Sequence, residues 1–164
     1  MRKLLFVIAG GGLALALAAP VVVGDSDQAF TASLNGYLEV PSISTTARGS
    51  FRAEVVGSTI TYRLVFRDLS TPSLFSHIHF ARPDVNGGVS AFLCGGGGKP
   101  ACPTTAGTVT GTIVAADVIG PTDKGILAGE FAELVRAMRN GATYVNVHSD
   151  AWASGEIRGN IRRD

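Results

Sequence analysis

Phe51-Arg52-Ala53-Glu54-Val55-Val56-Gly57-Ser58-Thr59-Ile60-Thr61-Tyr62-Arg63-Leu64-Val65-Phe66-Arg67 is the stretch that decides the fold. Phe51, Ala53 and Val55 alternate with Arg52 and Glu54, and Ile60, Tyr62, Leu64 and Phe66 alternate with Thr61, Arg63 and Arg67. A period of two puts the apolar set on one face and the polar set on the other. Gly57-Ser58 stands between the two runs as a two-residue turn. A glycine in first place favours a type II′ hairpin.

Working outward, six more short runs have strand character: Phe30–Leu34, Leu74–Phe80, Val89–Leu93, Thr108–Val114, Thr143–His148 and Glu156–Ile161. Their connections are rich in glycine. The expectation is an all-β fold, an antiparallel β-sandwich or Greek-key barrel of about eight strands. One segment departs from it. Phe131, Leu134, Val135 and Met138 recur at helical spacing, with Glu130 and Glu133 early, Arg136 and Arg139 late, and Gly141 beyond. This predicts one short helix over about 130–139, closing one end of the core.

The 164 residues suit one domain, with 46% hydrophobic residues to build a core. Charged residues make up 16%, against ~25% in an average globular chain. A net charge of +1 supplies no field for steering onto nucleic acid or an anionic membrane. Residues 1–24 read as a signal peptide: Arg2 and Lys3, an uncharged run from Leu4 to Ala19, and the small-x-small cleavage signal Ala16-Leu17-Ala18. A second cut could follow Gly24, and an uncleaved anchor is the alternative, since Leu4–Val23 is long enough to span a bilayer. Cleavage before Asp25 leaves 12 basic against 13 acidic residues over 25–164. The expected location is secreted or periplasmic, with no stable membrane insertion once the leader is gone.

Export bears on Cys94 and Cys102. In an oxidising compartment, two cysteines flanking a Gly-rich loop are expected to pair. Closing so short a ring contributes about 2.6 kcal/mol in the chain-entropy picture. A thiolate metal site is the alternative, but the spacing matches no usual zinc pattern.

The three histidines all lie in strand runs. In His77-Ile78-His79 both rings leave one face, their anchors about 6.6 Å apart at a rise of ~3.3 Å per residue. Ile78 and Phe80 then face the core. In Tyr144-Val145-Asn146-Val147-His148 the valines share one parity and His148 takes the other. Along the last run Ile157 and Ile161 point inward, and Glu156, Arg158 and Asn160 outward. The reading is an outward, polar face on which His77, His79 and His148 could bind a metal ion. Asn146 or Glu156 could orient a ring from behind. Imidazole suits copper and zinc, and three nitrogens leave an open position. No Gly-x-Ser-x-Gly elbow is present, and the carboxylates are too scattered to pick out a glycosidase pair. Trp152 reads as a loop residue folded over the core edge, or else as an exposed contact for a partner.

Several pieces in order carry a resemblance. They are Phe30-Thr-Ala-Ser-Leu-Asn-Gly36 with Glu39-Val-Pro41, Ala47-Arg-Gly49, His77-Ile-His-Phe-Ala81, Asn86-Gly-Gly-Val89, Gly141-Ala-Thr-Tyr-Val-Asn-Val-His148 and Gly155-Glu-Ile-Arg-Gly-Asn-Ile161. Over about residues 28–162 the chain resembles the CHRD domain, a module described in chordin and found singly in secreted bacterial proteins. Ser42 and Gly88 stand where that family often has proline. The resemblance implies an extracellular β-sandwich module over residues 25–164, without an established activity for single-domain members. A more distant likeness is to copper–zinc superoxide dismutase, which also places His-x-His on one strand face and a further copper histidine after a Val-x-Val. Arg158 loosely matches its anion-guiding arginine. With three histidines the chain cannot build the bridged two-metal site, so any site is mononuclear. The expectation is a secreted binding module holding a copper-type ion. The alternatives are a copper-only dismutase-like redox enzyme and a structural or adhesive envelope domain without metal.

Overall fold

The computed structural model describes residues 28–164; the leader expected over residues 1–24 lies outside them. The strands are β1 (Gln28–Asn35), β2 (Arg48–Val56), β3 (Thr59–Arg67), β4 (Ser73–Phe80), β5 (Gly88–Cys94), β6 (Gly107–Ile113), β7 (Thr143–Ser149), β8 (Ile157–Asn160) and β9 (Arg162–Arg163). A single α-helix among the described residues, α1 (Phe131–Arg139), precedes β7. The last expected strand is divided in two. β8 pairs with β7, while β9 pairs with β1 at Phe30 and Thr31. Between them the buried Ile161 sends its N–H to the Thr143 carbonyl.

All the pairings are antiparallel, in the order β5-β4-β7-β8-β1-β2-β3-β6. The fold is therefore one sheet curled into a nearly closed barrel, the Greek-key branch of the expectation. The connections from β3 to β4 and from β6 to β7 run between strands that are not neighbours. The β2–β3 turn forms as read: Val56 pairs with Thr59, and Gly57 has φ +56° while Ser58 does not enter the left-handed region. That combination is the type II′ pattern.

β5 and β6 meet at a seam without a ladder, and side chains bind it. The Tyr62 hydroxyl donates to the Leu93 carbonyl at 2.7 Å. Lys99 Nζ donates to the Thr112 carbonyl at 2.7 Å and forms an ion pair with Asp117. Cys94 and Cys102 form the expected disulfide. Tyr62 reaches across because its partner on β6 is Gly111, where a Cβ would meet the phenol oxygen at 2.5 Å.

The core is a single cluster filled by the inward parity of each strand. It includes Phe30, Leu34, Phe51, Ile60, Leu64, Phe66, Ile78, Val145, Val147, Ile157 and Ile161. Leu134, Val135, Ala137 and Met138 of α1 join it, with Phe131 against the edge. Asn140 ends α1 and Gly141 follows at φ +64°. That left-handed C′ position is nearly free of cost only for glycine. Trp152 does not fold over the core edge; it is 39% exposed and lies outside this cluster.

Candidate metal centre

β4 lies directly between β5 and β7, which periodicity alone could not establish. In the β4–β7 ladder His77 is opposite Asn146 and His79 is opposite Tyr144. Ile78, Val145 and Val147 face the core, each at 0% exposure. The histidines therefore share the opposite face, as their parity requires. That face is not open to solvent. His77, His79 and His148 are 5%, 7% and 6% exposed, and Tyr144, Asn146, Glu156 and Arg158 are buried too. The reason is that three loops fold over the outside of the barrel here. Asn86 Nδ2 donates to the Val40 carbonyl and ties the 81–87 loop to the 36–47 loop. The 150–156 loop is held by His148 itself, through Ala153.

Hydrogen bonds select the ring atoms that face inward. His79 Nδ1 donates to the Gly87 carbonyl at 2.9 Å, and His148 Nδ1 to the Ala153 carbonyl at 3.0 Å. A carbonyl accepts only, so each Nδ1 carries the proton and each neutral ring keeps its lone pair on Nε2. His77 Nδ1 lies 3.2 Å from His148 Nε2. One ligand atom from each ring lies within 4.8 Å of the others. The nitrogens these bonds leave free are Nε2 of His79 and Nε2 of His148, with Nδ1 of His77 beside the latter.

This set is short of protons. His79 Nε2 is buried and has no partner. The Asn146 side-chain oxygen faces His148 Nε2 at 3.0 Å, an acceptor against a lone pair. One proton on His77 cannot serve all of these groups, and an uncompensated buried acceptor costs about 1–3 kcal/mol. A cation could take these lone pairs, so the residues fit a metal ion on their chemistry.

The surroundings keep the rings neutral. Burial, and then the neighbouring His148 and His79, push the His77 pKa down to about 3. Burial brings His148 down to about 4 despite the Ala153 bond. His79 is also lowered by burial, opposed by its bond to the Gly87 carbonyl. Phe75 and Phe92 wall the site, with Phe92 4.4 Å from the His77 ring and Phe75 4.6 Å from that of His148.

The remaining expected residues divide. Asn146 does touch a histidine. Glu156 is bonded elsewhere: Oε1 accepts from Thr45 Oγ1 and the Ser70 N–H, and Oε2 from Ser149 Oγ. It binds three loops together and makes no hydrogen bond to a ring. Arg158 takes the outward parity expected of it, opposite Asn146 in the ladder, but is fully buried beneath the loops. Its guanidinium sits 3.4 Å over the Tyr144 ring, which lies parallel to His79 at 4.6 Å. It also donates to the Val85 carbonyl and Asn86 Oδ1. Glu39 was not singled out from the sequence as a site residue. It is buried beside Arg158 and Asn146, and burial lifts its carboxyl to about 7 against the pull of Arg158. The sequence did carry a signal: Glu39-Val-Pro41 and Asn86-Gly-Gly-Val89, two of the pieces behind the resemblance, lie in loops of this cover.

Among the described residues no helix is long and apolar enough to cross a membrane. Comparison with curated proteins and with solved structures gives no match. The family model of the CHRD domain matches residues 30–161, which is most of the chain. The ordered pieces, the antiparallel barrel and this match agree, and the chain belongs to the CHRD domain family.

Proposed function

We propose that the chain is an exported binding module that holds one copper-type ion through His77 Nδ1, His79 Nε2 and His148 Nε2. The observation that carries the reading is the convergence of three neutral imidazoles, with His79 Nε2 buried and without a partner. Neutral nitrogen donors suit copper and zinc. The buried Arg158 guanidinium nearby adds positive charge, which favours an ion of low charge over a hard dication. Asn146 and the Gly87 and Ala153 carbonyls orient the rings. The disulfide and the leader expected over residues 1–24 support an oxidising, secreted or periplasmic setting.

A dismutase-like enzyme has less support. Such chemistry needs an anion to reach the ion, and Arg158, the residue expected to guide it, is enclosed beneath the loops. A structural or adhesive domain without metal would leave the buried lone pairs with no purpose.

Metal analysis of protein purified from its own compartment, followed by copper titration, tests the reading. Wild type should take up one equivalent, and His79→Phe should bind at least 100-fold more weakly. Phenylalanine keeps the stacking on Tyr144 and removes the Nε2 donor together with the bond to Gly87. Equal affinity in a folded His79→Phe variant, or no copper uptake by wild type, overturns the proposal. A superoxide assay on the loaded protein separates binding from redox catalysis.

A further inference from the structure

The opposite side of the barrel carries a second feature, independent of the histidines. Outward positions of neighbouring strands line up across the sheet. Arg162 on β9 pairs with Thr31, Thr31 with Arg52, Arg52 with Arg63, and Arg63 with Thr110. The row thus holds three arginines and two threonines across five strands. Two like charges directly opposite on adjacent strands destabilise a sheet. Arg52 and Arg63 are such a pair, and neither is neutralised. The side chains of Arg52 and Arg162 have no hydrogen bond or ion pair among the described residues, and that of Arg63 reaches only the Thr108 hydroxyl at 3.4 Å. Thr31, Arg52, Arg63 and Thr110 line a shallow groove of about 430 Å³, of which Arg162 is not part, and two carboxylates, Glu54 and Asp164, line it too without pairing to these arginines.

We propose that this row binds an acidic polysaccharide chain bearing uronate carboxylates. Guanidinium groups present a planar fork that matches a carboxylate bidentately. The threonine hydroxyls between them can donate to and accept from sugar hydroxyls. Adjacent strands are ~4.8 Å apart, so a chain laid across them meets a new side chain at each sugar. Single-stranded nucleic acid fits less well, because the row offers no aromatic side chain for a base to stack on. The site also suits the setting, since the disulfide and the family fit an extracellular protein.

The probe is polygalacturonate of defined length, titrated into the intact domain at low salt, with dextran, galacturonate monomer and oligo-dT as comparisons. Wild type should bind polygalacturonate, and the binding should weaken at least tenfold at 0.5 M salt as the charges are screened. Arg52→Glu should lower affinity at least tenfold. It should also raise the melting temperature, because the introduced carboxylate would face Arg63 as an opposite charge. Arg52→Gln should lose affinity without a fall in melting temperature, which keeps the result independent of folding. The proposal is overturned if wild type fails to bind polygalacturonate, if both variants bind as wild type does, or if dextran or oligo-dT binds as tightly.

Discussion

On β2 and β3 every second residue is open or partly open to water, whereas all seven residues of β7 are buried. The two regions belong to one sheet and share one core. They differ in what lies outside. The outward positions of β2 and β3 carry Arg52, Glu54, Thr61, Arg63 and Arg67 and face solvent. Those of β4 and β7 carry His77, His79, Tyr144, Asn146 and His148 beneath three loops. Strand parity therefore assigns a side chain to a face, and only the loops decide whether that face is wet.

The sharpest way to break the contrast is Ile78→Asn. Ile78 sits between His77 and His79 in the chain, at 0% exposure on the core face. Placing an unsatisfied amide there while losing the apolar contacts should cost on the order of 4 kcal/mol, read by urea unfolding. A loss below about 1 kcal/mol would show that the core parity of β4 is wrong.

Next is Glu156→Ala. The carboxylate satisfies Thr45, Ser70 and Ser149 from one buried position. Bonds to a charged group contribute about 1.5–3 kcal/mol each, less than additively, so a loss of about 3 kcal/mol is expected. Copper affinity should fall less than in His79→Phe, since Glu156 touches no ring. An affinity loss as large as that of His79→Phe would restore Glu156 to the role first expected of it.

A smaller effect is predicted with pH. Unfolded imidazoles titrate near ~6.5. Folded His77 and His148 titrate at about 3 and about 4, and His79 is also lowered. In that window the unfolded chain binds protons that the folded one refuses. The contribution of the rings is complete above about 6.5 and is lost as pH falls toward 4. The metal-free urea midpoint should drop between pH 7.5 and pH 5, and His77→Phe should drop less. Glu39, raised to about 7, acts in the opposite sense, so the readout is the difference between the two proteins. Identical pH profiles would show that His77 is not held neutral by its surroundings. Copper retention should likewise persist below the ~6.5 at which free imidazole protonates.

The smallest effect belongs to the other region. Thr61→Ala, on the open face of β3, should change stability by less than about 0.5 kcal/mol. A larger loss would mean that the bare face is covered in solution.

These regions also differ in how far the sequence could be read. The β2–β3 hairpin was legible to the residue, because alternating charge, a two-residue turn and glycine in first place are all local signals. The parity of His77, His79 and His148 was legible for the same reason. Their convergence was not, since it depends on β4 and β7 becoming neighbours across a long connection. The burial of Arg158 and the placement of Glu39 depend on loops whose course no periodicity encodes. One hint was present: the outward positions of β4 and β7 hold no Lys, Arg, Asp or Glu, unlike those of β2 and β3.

The seam between β5 and β6 bears on solubility. Two strand edges without a ladder are a template on which another chain can add a strand, the usual start of edge-to-edge aggregation. Here the edge carbonyls are taken one by one: Ser90 by the Ile119 N–H, Leu93 by Tyr62 and Thr112 by Lys99. The Cys94–Cys102 link holds the glycine loop that carries Lys99. Reducing that link should leave Lys99 held only by Thr112 and Asp117 on a looser loop, so the reduced protein is expected to self-associate more readily at high concentration than the oxidised one.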